Sequence, residues 1–228
     1  MAKRGVLYLT WGNDSKTTAA LHRSVAALRR WHPELGVEVA RGEDRGPFEG
    51  LLQKAAMLER SPFEETLFLD ADTVVMGRLD FGFEKARQFG LACCICECPW
   101  ARRYRRSIAG DTVEYNTGVL FWTKRAKPVF DAWREQAATL DSSIDLVRPD
   151  GKPGVMPYND QASFAAALEL TSVNPCALPL NWNFRPMWHK TFFGPIKIWH
   201  DYSEPPAALL ELNQIYEHGA VISFHKMA

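Results

Sequence analysis

Along the first seventy residues the apolar positions switch between two spacings, short continuous runs and a helical stripe. GVLYLT, from Gly5, is a run of strand length. Behind it Leu21, Val25 and Leu28 fall at helical spacing, after Asp14 and Ser15, residue types that cap helices, and the stripe stops before Pro33. GVEVA, from Gly36, is a second run. A second helical stretch, FEGLLQKAAMLER, follows and is closed by Pro62, and a third run, ETLFLD, ends at Asp70. Strand followed by helix, repeated, predicts an α/β domain with a mostly parallel sheet flanked by helices. Ligands of such sheets gather at the C-terminal ends of the strands, and Asp70 and Asp72 lie at one of those ends.

Further along, FGLACCIC and VEYNTGVLFW have the character of strands. KPVFDAWREQAATL predicts a helix, with Pro128 near its start and Phe130, Trp133 and Ala137 on one stripe. NDQASFAAALEL predicts another, capped by Asn159 or Asp160. After Thr171 the chain becomes dense in Pro, Trp and Phe with little periodicity, which reads as an irregular, aromatic-lined wall. There is no internal repeat, low-complexity tract or linker.

With 228 residues, 46% of them hydrophobic, the chain can build one sizeable core, so a single domain is expected. Lys and Arg number 27 and Asp and Glu number 27, and a formally neutral chain has no global attraction for nucleic acid or an anionic membrane; any basic site must be local. The apolar run in MAKRGVLYLTWGND is too short for a signal-peptide core, and no stretch approaches the ~20 apolar residues of a spanning helix. The chain reads as cytoplasmic. In that setting CCICEC predicts thiols rather than disulfides. Cys94, Cys96 and Cys98 alternate as along a core strand, although Cys93 and Cys96 also have a spacing that metal sites use.

The candidate chemistry is in LFLDADTVV. Two carboxylates separated by the small Ala71, at the point where a strand becomes a loop, make a hard-oxygen site for Mg²⁺ or Mn²⁺. An ion held there is completed by a polyanion. A diphosphate suits it, because the metal neutralises the charge that grows as the diphosphate departs. An acidic triplet by itself is also an ordinary way to end a strand in a turn.

Four later segments accompany the triplet in order: YNTGVLFW, YNDQASF, LPLNWNFR and IWHDYSEPP. Together with LQKAAMLERSPFEETLFLDADTVV they resemble the GT-A fold glycosyltransferases, most closely the family 8 type that uses nucleotide diphosphate sugars. The resemblance runs from about Leu51 to Pro206. It implies a GT-A (nucleotide-diphospho-sugar transferase) fold in one catalytic domain over residues 1–228, with a nucleotide-binding half (1–122) and a donor-sugar and acceptor half (123–228). It also implies a UDP-sugar donor, a Mn²⁺ or Mg²⁺ cofactor, a carbohydrate or glycosylated acceptor, and transfer with retention of anomeric configuration.

Residue by residue, the resemblance makes Asp70 and Asp72 metal ligands and adds a C-terminal histidine, His200 by its place after IKIW, with His225 in VISFHKM as the rival. Where the family continues with glycine and lysine after the histidine, this chain reads HDYSEPPAAL. Lys54, on the helix before the metal strand, is expected near the donor sugar and diphosphate, although a solvated surface lysine is the other reading. Asn116 is expected to face the donor sugar, with Gly118 allowing close backbone approach. Asp160 and Gln161 are expected to flank the sugar carbon under attack, and with Asn116 to present oxygen dipoles to it. Thr10, Trp11 and Asn13 are expected around the base, Trp11 by stacking. Arg102, Arg103, Arg105 and Arg106 around Tyr104, beside Ala109, Gly110 and Asp111, suggest a mobile loop for a phosphorylated or acidic acceptor, or a peripheral membrane contact. Trp182, Trp188 and Trp199 offer sugar-stacking faces or plain packing.

Two other functions fit parts of the pattern. FLDADTVV also satisfies the haloacid-dehalogenase phosphatase motif, with Asp70 as nucleophile and Asp72 as acid/base, but here it follows two earlier strand–helix units and no later acidic pair ends a strand. A catalytically silent nucleotide-sugar-binding domain would keep the same acids.

Overall fold

In the computed structural model β1 (Arg4–Thr10) turns Val6 and Tyr8 to one face and Leu7 and Leu9 to the other, and all four are buried. A continuous apolar strand of this kind needs cover on both faces, and the rest of the fold supplies it. The structure describes residues 3–46, 49–96, 112–148, 150–218 and 224–226.

After β1 come α1 (Ser15–Trp31), β2 (Gly36–Arg41), α2 (Met57–Arg60) and β3 (Glu65–Leu69). Then follow β4 (Thr73–Val75), α3 (Asp80–Phe89), β5 (Leu91–Ile95), β6 (Tyr115–Thr123) and α4 (Lys127–Thr139). The remainder is β7 (Ile144–Val147), β8 (Pro153–Met156), α5 (Asp160–Thr171), β9 (Cys176–Leu178), β10 (Thr191–Phe193), β11 (Ile198–His200), α6 (Ala207–His218) and β12 (Phe224–Lys226). The central sheet has the order β2-β1-β3-β6-β5-β9. β6 is antiparallel to both its neighbours and the other pairings are parallel, so five strands share one direction. The sheet is therefore mixed but mostly parallel. It takes β9 from the C-terminal half of the chain.

The two faces carry separate cores. Val6, Tyr8, Leu67, Leu69, Val119, Phe121, Ala92 and Cys94 pack with Leu28 of α1 and with Phe83 and Ala86 of α3. Their strand neighbours Leu7, Leu9, Phe68, Leu120, Trp122, Leu91 and Cys93 pack on the opposite face with Leu58, Phe130, Trp133 and Phe164 from α2, α4 and α5. Cys93 and Cys94 of β5 are core thiols outside any disulfide, Cys96 is buried just past the end of the strand, and Cys98 lies outside the described residues.

α1 begins as expected: the Asp14 carboxylate accepts from the backbone N–H groups of Lys16 and Thr17. Asn159, rather than Asp160, caps α5. Three expectations need correction. Glu49–Ala56 winds as a 3₁₀ helix ahead of the single turn of α2. Gly50, a poor helix former, lies there against the indole of Trp11, where a Cβ would collide with the ring. The segment from Thr171 to Pro206 is more ordered than its composition suggests, since it contains β9, β10 and β11. Within it Trp182 and Trp199 are buried and pack as core, so they offer no sugar-stacking face, whereas Trp188 is partly exposed. Residues 97–111, with Arg102, Arg103, Tyr104, Arg105, Arg106, Ala109, Gly110 and Asp111, lie outside the described residues. No helix among the described residues is long and apolar enough to cross a membrane.

Candidate active site

β3 ends at Leu69, and the chain turns through Asp70, Ala71 and Asp72 before re-entering as β4. A chain of hydroxyl groups holds one side of this turn and a backbone hydrogen bond the other. The Thr73 hydroxyl donates to the Asp70 carbonyl (2.8 Å) and must therefore accept from Ser24 (3.0 Å), which in turn accepts from Tyr8 (3.0 Å). On the other side the Asp70 backbone N–H donates to the Gly118 carbonyl (2.8 Å). β4 pairs antiparallel with β11, in a register that sets His200 opposite Thr73, and the Asp201 N–H donates to the Asp72 carbonyl (2.9 Å). A residue 128 positions away in sequence is brought in this way to the acidic turn.

The resulting cluster is compact. Asp70, Asp72 and His200 each offer one ligand atom, and these atoms lie within 4.8 Å of one another. His200 Nε2 is 3.4 Å from Asp72 and 3.8 Å from Asp70. Gly118 lies directly behind them. A Cβ there would run into His200 Cε1 and stand 2.7 Å from an Asp70 oxygen. Two carboxylates and an imidazole converging on one point, with the backbone cleared behind them, fit a divalent cation such as Mn²⁺ or Mg²⁺. Of the two histidines left open by the sequence, His200 is in this cluster, and the side chain of His225 lies outside what the structure describes. The backbone of His225 lies on β12, opposite Phe192 of β10.

Charge beneath the cluster is balanced by Lys54, which is buried rather than solvated. Its ammonium contacts both Asp70 oxygens (2.8 and 3.0 Å) and one oxygen of Asp160 (3.1 Å), and that Asp160 oxygen also accepts from the Thr117 hydroxyl (2.6 Å). Burial alone would drive the lysine toward neutrality, but the two carboxylates outweigh it and hold the ammonium above its ordinary range. Burial pushes the Asp70 carboxyl up against the pull of Lys54 and His200. For Asp72, burial is outweighed by His200, and the carboxyl is lowered to about 2.

In front of the cluster is a cavity of about 580 Å³, within the ~300–1,000 Å³ of small-molecule sites. The end of β1 and the start of α1 line one side, with Thr10, Trp11, Asn13 and Thr17; Asp44 and Gly46, from the loop after β2, line another; Asp70, Ala71, Asp72, His200 and Tyr202 close it. Every expected base-side residue, Thr10, Trp11 and Asn13, borders this space. Trp11 is seated on Gly50.

Of the oxygens expected to offer dipoles to a sugar, Asn116 Oδ1 and one carboxylate oxygen of Asp160 are engaged. Asn116 Oδ1 accepts from the Gly118 N–H (2.9 Å) and from Asn183 Nδ2 (2.8 Å), and Asp160 is held by Lys54 and Thr117 as above. Gln161 is buried, its amide 3.5 Å from Cys96 Sγ. The roles of Asn183, Thr117 and Tyr202 were not foreseen. Asn183, inside the aromatic run LNWNFR, is the one a reader could have suspected, because a polar residue there needs buried partners. Tyr202 follows His200 by two residues; its ring carries the Lys16 ammonium at 4.0 Å, and Arg23 donates to the carbonyls of Asp201 and Tyr202, pinning the turn to α1.

No protein-family model matches the sequence, and no curated protein sequence matches it. Solved structures do. The chain superposes on mouse xyloside xylosyltransferase 1 with a TM-score of 0.56 at 12% identity, covering 88% of this chain and 99% of that one. It superposes on the galactosyltransferase LgtC, solved with donor and acceptor sugar analogues, with a TM-score of 0.50 at 11% identity, covering 96% and 97%. The fold is that of the GT-A glycosyltransferases. A glycosyltransferase involved in glycosylating the major capsid of PBCV-1 is similar to the same extent, with a TM-score of 0.52 at 14% identity over 92% of this chain and 99% of that one. The triplet follows an interior strand of the sheet, after two strand–helix units.

Proposed function

We propose that the protein is a metal-dependent glycosyltransferase that moves a sugar from a nucleotide diphosphate sugar, with UDP as the nucleotide, to a carbohydrate, glycosylated, phosphorylated or acidic acceptor. The observation that carries this reading is the convergence of Asp70, Asp72 and His200 at the mouth of the 580 Å³ cavity. Those three residues would hold Mn²⁺ or Mg²⁺, which when bound supplies charge stabilisation for a leaving diphosphate.

The chain's own residues divide the remaining work. Trp11, which lines the cavity, takes the base, beside Thr10 and Asn13. Lys54 keeps Asp70 ionised and oriented, and because it also grips Asp160 it ties the diphosphate end of the site to the start of α5. A donor sugar lying over that boundary is next to Asp160, Gln161 and Asn116, which are buried behind the cavity wall rather than part of it. With its oxygen accepting from Gly118 and Asn183, Asn116 offers the sugar its N–H₂ group. Gly118, expected to let the donor approach the backbone, instead makes room for His200 and Asp70. Retention of configuration follows the family 8 resemblance.

The test is donor turnover. Purified protein incubated with a panel of UDP-sugars and Mn²⁺ is expected to release UDP from at least one of them, with release lost in EDTA and in Asp72→Ala. Absence of metal-dependent UDP release from every donor, with folded protein, would refute the assignment.

A further inference from the structure

The hydrogen bonds behind His200 form a chain in which each donor and acceptor is forced. It starts at a group with no choice: the Gly118 backbone N–H only donates. The Asn116 side-chain atom 2.9 Å from it is therefore the oxygen. That same oxygen lies 2.8 Å from the amide of Asn183, so the Asn183 atom facing it is the nitrogen. The other Asn183 atom is then the oxygen, and it lies 2.7 Å from His200 Nδ1. An acceptor at that distance requires the proton on Nδ1. In the neutral ring Nε2 then carries a bare lone pair, and Nε2 is the atom directed at Asp70 and Asp72.

All three side chains are buried, so water cannot substitute for a missing partner: Asn183 is 1% exposed, Asn116 4% and His200 9%. The anchor of the chain is also tied to the site itself, since the Gly118 carbonyl accepts from the Asp70 N–H. One backbone unit therefore fixes both a carboxylate-bearing turn and the orientation of the imidazole that faces it.

We propose that Asn116 and Asn183 are positioning residues, a two-amide relay that locks His200 in the Nδ1–H tautomer and so keeps Nε2 ready to donate to a cation between Asp70 and Asp72. The inference rests on the metal reading above and adds to it the two residues that make the histidine competent before any ion arrives. Without the relay the proton can move to Nε2, where the Asp72 carboxylate 3.4 Å away accepts it and the ligand lone pair is lost. Loss of such outer partners costs about 10–100-fold in metal affinity.

The test compares wild type, Asn183→Leu and Asn116→Asp. Asn183→Leu keeps the volume and removes the acceptor. Asn116→Asp keeps an acceptor for both Gly118 and Asn183, so it should preserve the relay. The first readout is the ring ¹⁵N pattern of His200 in EDTA, assigned with His200→Gln; the second is the Mn²⁺ Kd from the free-ion EPR signal. Wild type and Asn116→Asp are expected to show protonated Nδ1. Asn183→Leu is expected to show protonated Nε2 and a Mn²⁺ Kd raised about 10–100-fold. If Asn183→Leu does not fold, the wild-type and Asn116→Asp spectra still decide the matter, because an unprotonated Nδ1 in either overturns the relay. An Asn183→Leu protein with the wild-type spectrum and Kd overturns it as well. The two failures are separable: protonated Nδ1 in a wild type that binds no Mn²⁺ contradicts the metal site, whereas Mn²⁺ binding by a protein whose free state has an unprotonated Nδ1 contradicts the relay.

Discussion

Replacing Lys54 by Met keeps most of the side-chain volume and removes the ammonium that Asp70 and Asp160 share. Breaking a buried ion pair from one side costs about 3–5 kcal/mol, because a charge is left without a partner in a poorly solvated place. Asp160 fits that description, with a side chain 7% exposed, while Asp70 is 24% exposed and reaches the cavity, so water screens part of its loss. The lower end, about 3 kcal/mol, is the appropriate figure. For a chain of this size that corresponds to a fall in Tm of roughly 6–12 °C. The assay is urea and thermal unfolding in EDTA, repeated with saturating Mn²⁺, which binds the folded state and should return part of the loss. Adding Asp160→Asn to Lys54→Met removes the orphaned charge and should also recover stability, so a double-mutant cycle reads the coupling directly. An unchanged unfolding midpoint in Lys54→Met would refute the placement of Lys54 as a buried bridge.

Two further outcomes follow from the cavity walls. Gly118→Ala puts a methyl group against His200 and 2.7 Å from Asp70, and it should cost about 1–3 kcal/mol of stability and weaken Mn²⁺ binding at least tenfold; wild-type Mn²⁺ affinity would mean the cluster tolerates the intrusion. Trp11→Ala removes the aromatic face on the base side, and the Kd for UDP in Mn²⁺ should rise by roughly 5- to 150-fold, the worth of about 1–3 kcal/mol of stacking. An unchanged Kd would remove the indole from the nucleotide site.

Much of this arrangement is legible in the chain itself, for reasons that differ by element. The strands announce themselves because both faces of the sheet are covered, so GVLYLT and ETLFL read as unbroken apolar runs. α1 is legible because Asp14 is a cap as well as a break in the pattern. Asp70 and Asp72 stand out because nothing in a buried strand prepares for two carboxylates. By contrast α3 carries no capping side chain at its start and contains Gly82, which packs beneath Phe121, so local preference gives little sign of a helix. Lys54 could not be placed from sequence, since its burial depends on two carboxylates that arrive 16 and 106 residues later. The same holds for the choice between His200 and His225, both of which follow apolar runs. Only the pairing of β11 with β4 separates them. Asn183 stands out as a polar residue in an aromatic run, but its partners do not, because Asn116 and His200 meet only once β6 and β11 are in place.

The most direct measurement of the central claim is calorimetric titration of UDP, GDP, CDP and ADP into the protein with Mn²⁺, then with EDTA, for wild type and Asp72→Ala. The account predicts tight binding of UDP in Mn²⁺, lost in EDTA and lost in Asp72→Ala while that variant keeps its cooperative unfolding. If none of the four nucleotides binds in a metal-dependent way to folded wild-type protein, the reading of Asp70, Asp72 and His200 as a diphosphate clamp is contradicted.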